Sequence, residues 1–335
     1  MKSFEIPQFG IDNLALVERD TPRPGPFEVL VRMTAASLNY RDYMVVKGVY
    51  NPKMKLPMVP LSDGAGIVEE VGSGVTRVKK GDRVAAAFMQ TWIDGSPTQE
   101  KGKSALGGAI DGVLREYAVF HEQGLVHTPD SLMDVEAAAL PCAAVTAWHA
   151  LFEQTAIKPG ESVLIQGTGG VSTFALLFAR AAGLRTIMTS SSDEKIARAR
   201  ELGADETINY KQTPDWEKEA RKLTDGVGVD YVIDIGGSDT VPRALAAVRT
   251  GGVVSLIGVL SGVHPSVSPG QILMNSVRVQ GIYVGSRSMF ERMNRAISFH
   301  NIKPVVDKVF PWTEFKQALQ YMEGQSHFGK ICLKF

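Results

Sequence analysis

Apolar and polar positions change period abruptly at Ser162 to Gly183, SVLIQGTGGVSTFALLFARAAG. Ser162 to Ile165 reads as a buried parallel strand, whereas Phe174, Leu177, Phe178 and Ala181 recur at helical spacing on one face. Further strand-like runs follow at Thr186 to Thr189, Glu206 to Ile208, Tyr231 to Ile235, Val253 to Ile257 and Val277 to Tyr283, with helical stretches between most of them. Together they predict six strands alternating with helices, an α/β region with a parallel sheet.

The turn joining the first strand to its helix carries the first chemical signal. Gly167, Gly169 and Gly170 let the backbone bend tightly and approach a diphosphate, whose charge meets free N–H groups and the positive end of the helix dipole. Thr168 and Val171 complete that turn, and Ser172 stands where a G-x-G-x-x-G pattern has its third glycine. The same pattern also suits a plain tight connection.

Upstream of about residue 130 the pattern is different. Short alternating runs at Glu28 to Met33, Gly66 to Val71 and Asp82 to Phe88 lie between glycines and prolines and predict an irregular β domain. Met89 to Gly112 is polar and glycine-rich and predicts a long surface loop. Beyond the six-strand region, Met289 to Phe299 and Trp312 to Met322 read as helices and Lys330 to Phe335 as a closing strand.

Bulk properties narrow the function classes. A length of 335 residues favours two domains. Thirty-six basic residues balance thirty-six acidic ones, which argues against nucleic acid or an anionic membrane as partner. No apolar run is long enough for a membrane span, the N-terminus lacks a signal-peptide core, and two distant cysteines, Cys142 and Cys332, suit a reducing compartment. A cytoplasmic protein acting on a small molecule is the expectation.

Five segments carry a family resemblance: AASLNYRDYMVVKG at Ala35 to Gly48, VPLSDGAGIVEEVGSGV at Val59 to Val75, KKGDRV at Lys79 to Val84, LPCAAVTAWHAL at Leu140 to Leu151, and HFGKICLKF at the C-terminus. With the glycine turn, the chain resembles the medium-chain dehydrogenase/reductase superfamily over nearly its whole length, most closely the zinc-independent quinone oxidoreductase branch. The resemblance implies a GroES-like irregular β-barrel catalytic domain from residues 1–143 and 285–335. Inserted at 144–284 it implies a Rossmann domain, a doubly wound parallel six-stranded sheet, with a nicotinamide meeting substrate in a cleft.

Zinc-dependent relatives hold their metal with cysteine, histidine and cysteine. The equivalent positions here are Asn39, Ser62 and Cys142, and the Met89 to Gly112 loop has no cysteine for a second site, so no zinc is expected. Cys142 reads as a small buried residue at a helix start. Arg41 stands where zinc alcohol dehydrogenases begin their proton relay, and a guanidinium does not release protons. Hydride transfer without a metal favours a carbon that is already electrophilic, as in a quinone or a conjugated enone.

The resemblance places Leu38, Asn39 and Asp42 beside the nicotinamide. Asn39 is the candidate to hold the ring or a substrate oxygen, and Tyr43 the candidate hydrogen-bond donor to a developing oxyanion. Tyr43 equally suits a pocket wall, and some relatives carry the tyrosine where this chain has Met44. Trp92, Tyr50, Phe88, Met89 and Met274 are candidates for an apolar pocket. For the cofactor, Ser190 and Ser191 replace the acid that takes the ribose hydroxyls in NAD enzymes, and Lys195 and Tyr210 suit a 2′-phosphate. NADP is preferred, with Asp193 keeping NAD open. Ser191 and Glu194 also fit a capping box. Carried over by family position are Thr146, Ile257, Gly258 and Val259 near the carboxamide, Val284 after the last strand, and Lys330 near the pyrophosphate.

Two other functions remain open: an alcohol dehydrogenase of the same superfamily, and a cofactor-binding protein without turnover. The resemblance also implies a homodimer formed through the edge strand near Val277 to Tyr283.

Overall fold

The computed structural model describes residues 1–262 and 267–335. Its backbone divides into two units, Met1–Val145 with Val284–Phe335, and Thr146–Tyr283.

The first unit opens with β1 (Lys2–Glu5) and β2 (Ala15–Glu18), an antiparallel pair. β3 (Glu28–Ser37) follows, then α1 (Tyr40–Val46), β4 (Asp63–Val71) and β5 (Arg83–Ala86). Next come α2 (Gln99–Gly102), β6 (Tyr117–His121), β7 (Leu125–His127) and α3 (Asp134–Ala137). The helical stretch α4 (Val145–Trp148) leads into the second unit.

The second unit alternates strand and helix: β8 (Ser162–Gln166), α5 (Gly170–Ala181), β9 (Arg185–Ser190), α6 (Asp193–Glu201), β10 (Glu206–Asn209) and α7 (Trp216–Leu223). Its later half is β11 (Val229–Asp234), α8 (Val241–Ala247), β12 (Val248–Leu256), α9 (Pro269–Met274) and β13 (Arg278–Gly281). The chain then returns to the first unit with α10 (Arg287–His300), β14 (Val306–Pro311), α11 (Phe315–Glu323) and β15 (Lys330–Lys334).

All pairings in the second unit are parallel, in the order β10-β9-β8-β11-β12-β13. The order reverses between β8 and β11, the topological switch point at which such sheets bind ligands. Six strands match the six runs seen in the sequence. The buried face of α5 is centred differently from the expected one: Phe174, Ala175, Phe178 and Ala179 are buried, whereas Leu177 is only half-buried and Ala181 exposed. Trp148 and Phe152 pack on Phe178, which stacks with Phe174 6.0 Å away.

In the first unit a seven-stranded sheet runs β14-β15-β3-β4-β5-β7, with β6 paired to β3. The ten-residue β3 therefore holds three partners, and its inward residues Val29, Val31, Met33 and Ala36 enter a core with Phe4, Phe315 and Leu333. Ser286 caps α10 and a left-handed Asn301 ends it.

The Met89 to Gly112 segment departs from a surface loop. Phe88, Met89, Trp92, Ala105 and Leu106 are buried, and Trp92 Nε1 donates to Gly95 O at 2.8 Å. The glycines let backbone meet backbone: a Cβ on Gly112 would lie 2.1 Å from Leu61 O. Leu61, fully buried, adopts φ 69°, a conformation that costs a β-carbon-bearing residue roughly 1–2 kcal/mol. Its neighbours hold it there, for Val113 N donates to Leu61 O at 3.0 Å.

Candidate active site

In the second unit the glycine turn sits at the C-terminal end of β8, beside the switch point. Gly167 has φ 70°, and a Cβ there would fall 2.8 Å from Ile235 Cδ1. Gly169 is the N-cap of α5, and no protein atom lies within 4 Å of where its Cβ would be. Gly170 and Val171 form the first helical positions, so their N–H groups open α5 beside that free space. Thr168 is buried next to them. Ser172 explains its own departure from glycine: its buried Oγ donates to Gln166 O at 2.6 Å and ties the helix to the end of β8. The arrangement fits a diphosphate.

Ser190 and Tyr210 meet at the ends of adjacent strands, where Tyr210 N donates to Ser190 O at 3.0 Å. The cap of α6 is Ser192, whose Oγ accepts from Lys195 N at 3.4 Å, in place of the expected box from Ser191 to Glu194. Ser191 is half-buried and Lys195 stands in the first turn of α6. The two carboxylate oxygens of Asp193 accept from Asn209 Nδ2 at 2.7 Å and Gln212 Nε2 at 2.8 Å.

Asp234, at the end of β11, organises the neighbouring turns. Its Oδ1 accepts from Gly236 N, Gly237 N and Thr240 Oγ1, and its Oδ2 accepts from Gln166 Nε2. Burial raises its pKa even so. Its carbonyl accepts from Ile257 N at 2.8 Å and Gly258 N at 3.3 Å, and only glycine fits position 258, where a Cβ would lie 2.0 Å from Ile235 O. Val259 follows, two-fifths exposed. Thr146 is buried in α4. Asp234 escaped the sequence reading because nothing local marks a strand-end aspartate as a turn organiser.

The first unit gathers a buried polar cluster. Asn39 caps α1, its N–H donating to Asp42 Oδ2 at 2.8 Å. Lys330, 2 % exposed, donates through Nζ to Leu38 O at 2.7 Å and Asn39 Oδ1 at 2.6 Å, and lies 3.7 Å from Asp63 Oδ2. Asn39 Nδ2 reaches Ser62 Oγ at 3.4 Å, and Ser62 donates to Asp63 Oδ1 at 2.8 Å. Asp63 Oδ2 also accepts from Cys142 N at 3.2 Å. Ser62 and Cys142 thus bond one carboxylate, which Asn39 reaches through Ser62. Burial, reinforced by repulsion from Asp63, pushes the Cys142 thiol well above its usual range.

Asp42 is buried and its carboxyl is pushed up to about 6, chiefly by desolvation, with Arg41 opposing and Asp63 adding repulsion. Arg41 is also buried, donating to Leu106 O at 3.0 Å, its guanidinium 5.0 Å from the Tyr50 ring and 4.8 Å from the Phe88 ring. Among the described residues, no group of three or more His, Cys, Asp or Glu is placed to hold a metal ion.

Tyr43 donates to Glu323 Oε1 at 2.5 Å, which with some burial raises its pKa to about 12. Met274, in the second unit, is 80 % exposed, while Phe88, Met89 and Trp92 are buried. Val284 lies beyond β13 with φ 52°, a strained backbone for a β-branched residue.

Comparison with known proteins follows the same division. Residues 25–130 match the alcohol dehydrogenase GroES-like domain, and residues 170–299 match the zinc-binding dehydrogenase domain. A zinc-type alcohol dehydrogenase-like protein of Schizosaccharomyces pombe is 49% identical, with 97% of this chain and 96% of that protein aligned. The quinone oxidoreductase of Pseudomonas syringae superposes with a TM-score of 0.84 at 31% identity, covering 100% of this chain and 99% of the other. An alcohol dehydrogenase of Geobacillus stearothermophilus is 32% identical over 100% of this chain and 99% of its own length. With a GroES-like unit, a Rossmann sheet and a glycine turn shaped for a diphosphate, the chain belongs to the medium-chain dehydrogenase/reductase superfamily and is an NAD(P)-dependent oxidoreductase.

Proposed function

We propose that this protein is a zinc-independent reductase that uses NADPH to reduce quinones, enones or similar activated carbonyl compounds. The observation that carries this reading is the Lys330 ammonium 2.6 Å from Asn39, at the position where zinc relatives place a metal-binding cysteine. A buried cation there opposes a second cation, and Asn39 and Ser62 are poor zinc donors. The residues present therefore do not fit a catalytic zinc.

They do fit a dinucleotide. The N–H groups that open α5 at Gly170 and Val171 suit its diphosphate. Ser190, Ser191, Lys195 and Tyr210 suit a 2′-phosphate, and the bonds of Asp193 to Asn209 and Gln212 support NADPH over NADH. When bound, the reduced nicotinamide supplies a hydride to an electrophilic carbon. Thr146 and the turn Ile257, Gly258 and Val259 are assigned to the carboxamide end, with Val284. Asn39 is assigned to the acceptor's oxygen, and Tyr43, turned to Glu323, to the wall.

A homodimer through β13 agrees with the exposure of Leu273, Met274 and Tyr283 around that edge strand. No helix among the described residues is long and apolar enough to cross a membrane, and the cytoplasm is the proposed location.

Parallel fluorescence titrations with NADPH and NADH, followed by a panel of quinones, enones and simple alcohols, test the proposal. Tighter binding of NADPH with reduction of quinones or enones is expected. Turnover of alcohols alone would support the dehydrogenase that several relatives' names describe, and binding without any turnover would support a non-catalytic protein.

A further inference from the structure

Hydrogen-bond bookkeeping fixes the orientation of Asn39. A lysine ammonium has three donors and no acceptor, so the Asn39 atom 2.6 Å from Lys330 Nζ is the amide oxygen. Asn39 then turns its NH2 group toward Ser62 Oγ. Ser62 accepts that bond because its own proton goes to Asp63 Oδ1 at 2.8 Å. The sequence of donors runs one way, Lys330 to Asn39 to Ser62 to Asp63, from a cation to an anion. Ser62 and Asp63 are fully buried and Lys330 nearly so, which places the chain in a low-dielectric setting where each bond polarises the next.

We propose that Lys330 is a positioning residue for the reduction: it locks Asn39 as a hydrogen-bond donor, and the second Asn39 Nδ2 hydrogen holds the carbonyl oxygen of the quinone or enone. This deepens the reductase reading and rests on it. It also moves Lys330 from the cofactor's pyrophosphate to the acceptor's oxygen. In the step so assisted, a bound NADPH would give up its hydride, its own C–H bond breaking and the nicotinamide becoming oxidised as a C–H bond forms at the acceptor's electrophilic carbon; the π pair would move onto oxygen, and the oxyanion would be met by the Asn39 N–H. A proton from water then completes the saturated ketone from an enone, and for a quinone it is followed by tautomerisation of the ring C–H to the hydroquinone. The polarised amide does at that oxygen what a Lewis acid does in metal enzymes.

Lys330→Met removes the charge at similar length, and Lys330→Arg restores donors. Because the first leaves Asp63 an uncompensated buried charge, Lys330→Met with Asp63→Asn provides a neutral partner that folds more readily. Two readouts are taken. Side-chain amide NMR signals of Asn39, identified by their loss in Asn39→Ala, should shift in both methionine variants and return toward wild type in Lys330→Arg. With 1,4-benzoquinone and 2-cyclohexenone, kcat should fall roughly tenfold to a hundredfold, the scale of weakening an oxyanion donor, while the NADPH dissociation constant changes less than about threefold.

Unmoved Asn39 amide signals would overturn the proposal. So would a loss of NADPH affinity that matches the loss of turnover, which would return Lys330 to the pyrophosphate. If the wild-type protein reduces neither acceptor, the reductase reading fails, and the amide signals still decide whether Lys330 orients Asn39.

Discussion

Replacing Asp42 by asparagine tests the electrostatics of the buried cluster through stability, without any ligand. The folded-state carboxyl sits at about 6 against its ordinary value of 3.8, raised first by desolvation. A raised carboxyl pKa means the folded state binds a proton that the unfolded chain has released, so its stabilising contribution is full below pH 3.8 and is lost as pH rises through about 6. At about 1.4 kcal/mol for each pKa unit, the whole shift corresponds to about 3 kcal/mol. Close to half of that, about 1.3 kcal/mol, falls between pH 5 and pH 7. Asparagine keeps an oxygen to accept from the Asn39 N–H but cannot titrate. Urea unfolding of both proteins at pH 5, 6 and 7 should therefore show wild type losing stability relative to Asp42→Asn as pH rises, by that amount. A difference that stays flat, or that grows in favour of wild type toward pH 7, would refute a strained, desolvated carboxylate beside Arg41 and Asp63.

Further outcomes follow from the same geometry. Lys195→Ala should weaken NADPH by about tenfold, the scale of one charge-assisted phosphate contact, and leave NADH within about twofold in parallel titrations. Tyr43→Phe should keep kcat within about threefold, because its hydroxyl proton is committed to Glu323, and steady-state kinetics that fall a hundredfold would restore the tyrosine as acid. Val279→Lys, on the edge strand with 36% exposure, should shift the mass measured by light scattering from dimer to monomer.

The Rossmann sheet was legible because buried parallel strands read as short apolar runs, and each of the six appears within a few residues of its expected place. The exact cap of α6 was not, since three consecutive serines are equivalent until the backbone shows which Oγ faces Lys195 N. The Met89 to Gly112 segment misled through composition: its glycines serve close backbone approach to Leu61. Helix α1 carries its own signal in the sequence, the N-x-x-D capping pattern of Asn39 and Asp42, which its short length and lack of helical apolar spacing obscure. The Lys330 to Asp63 chain lay beyond reach, because its members come from opposite ends of the sequence and only the pairing of β15 with β3 and of β3 with β4 unites them.

The central claim, hydride transfer to an activated carbonyl without a metal, is tested most directly by measuring metal content and NADPH-dependent reduction of 1,4-benzoquinone on one sample, before and after treatment with a strong zinc chelator. The account predicts turnover at zinc content far below one ion per chain, unchanged by the chelator. One zinc per chain whose removal abolishes turnover, with Cys142→Ala losing both the metal and the activity, would contradict it.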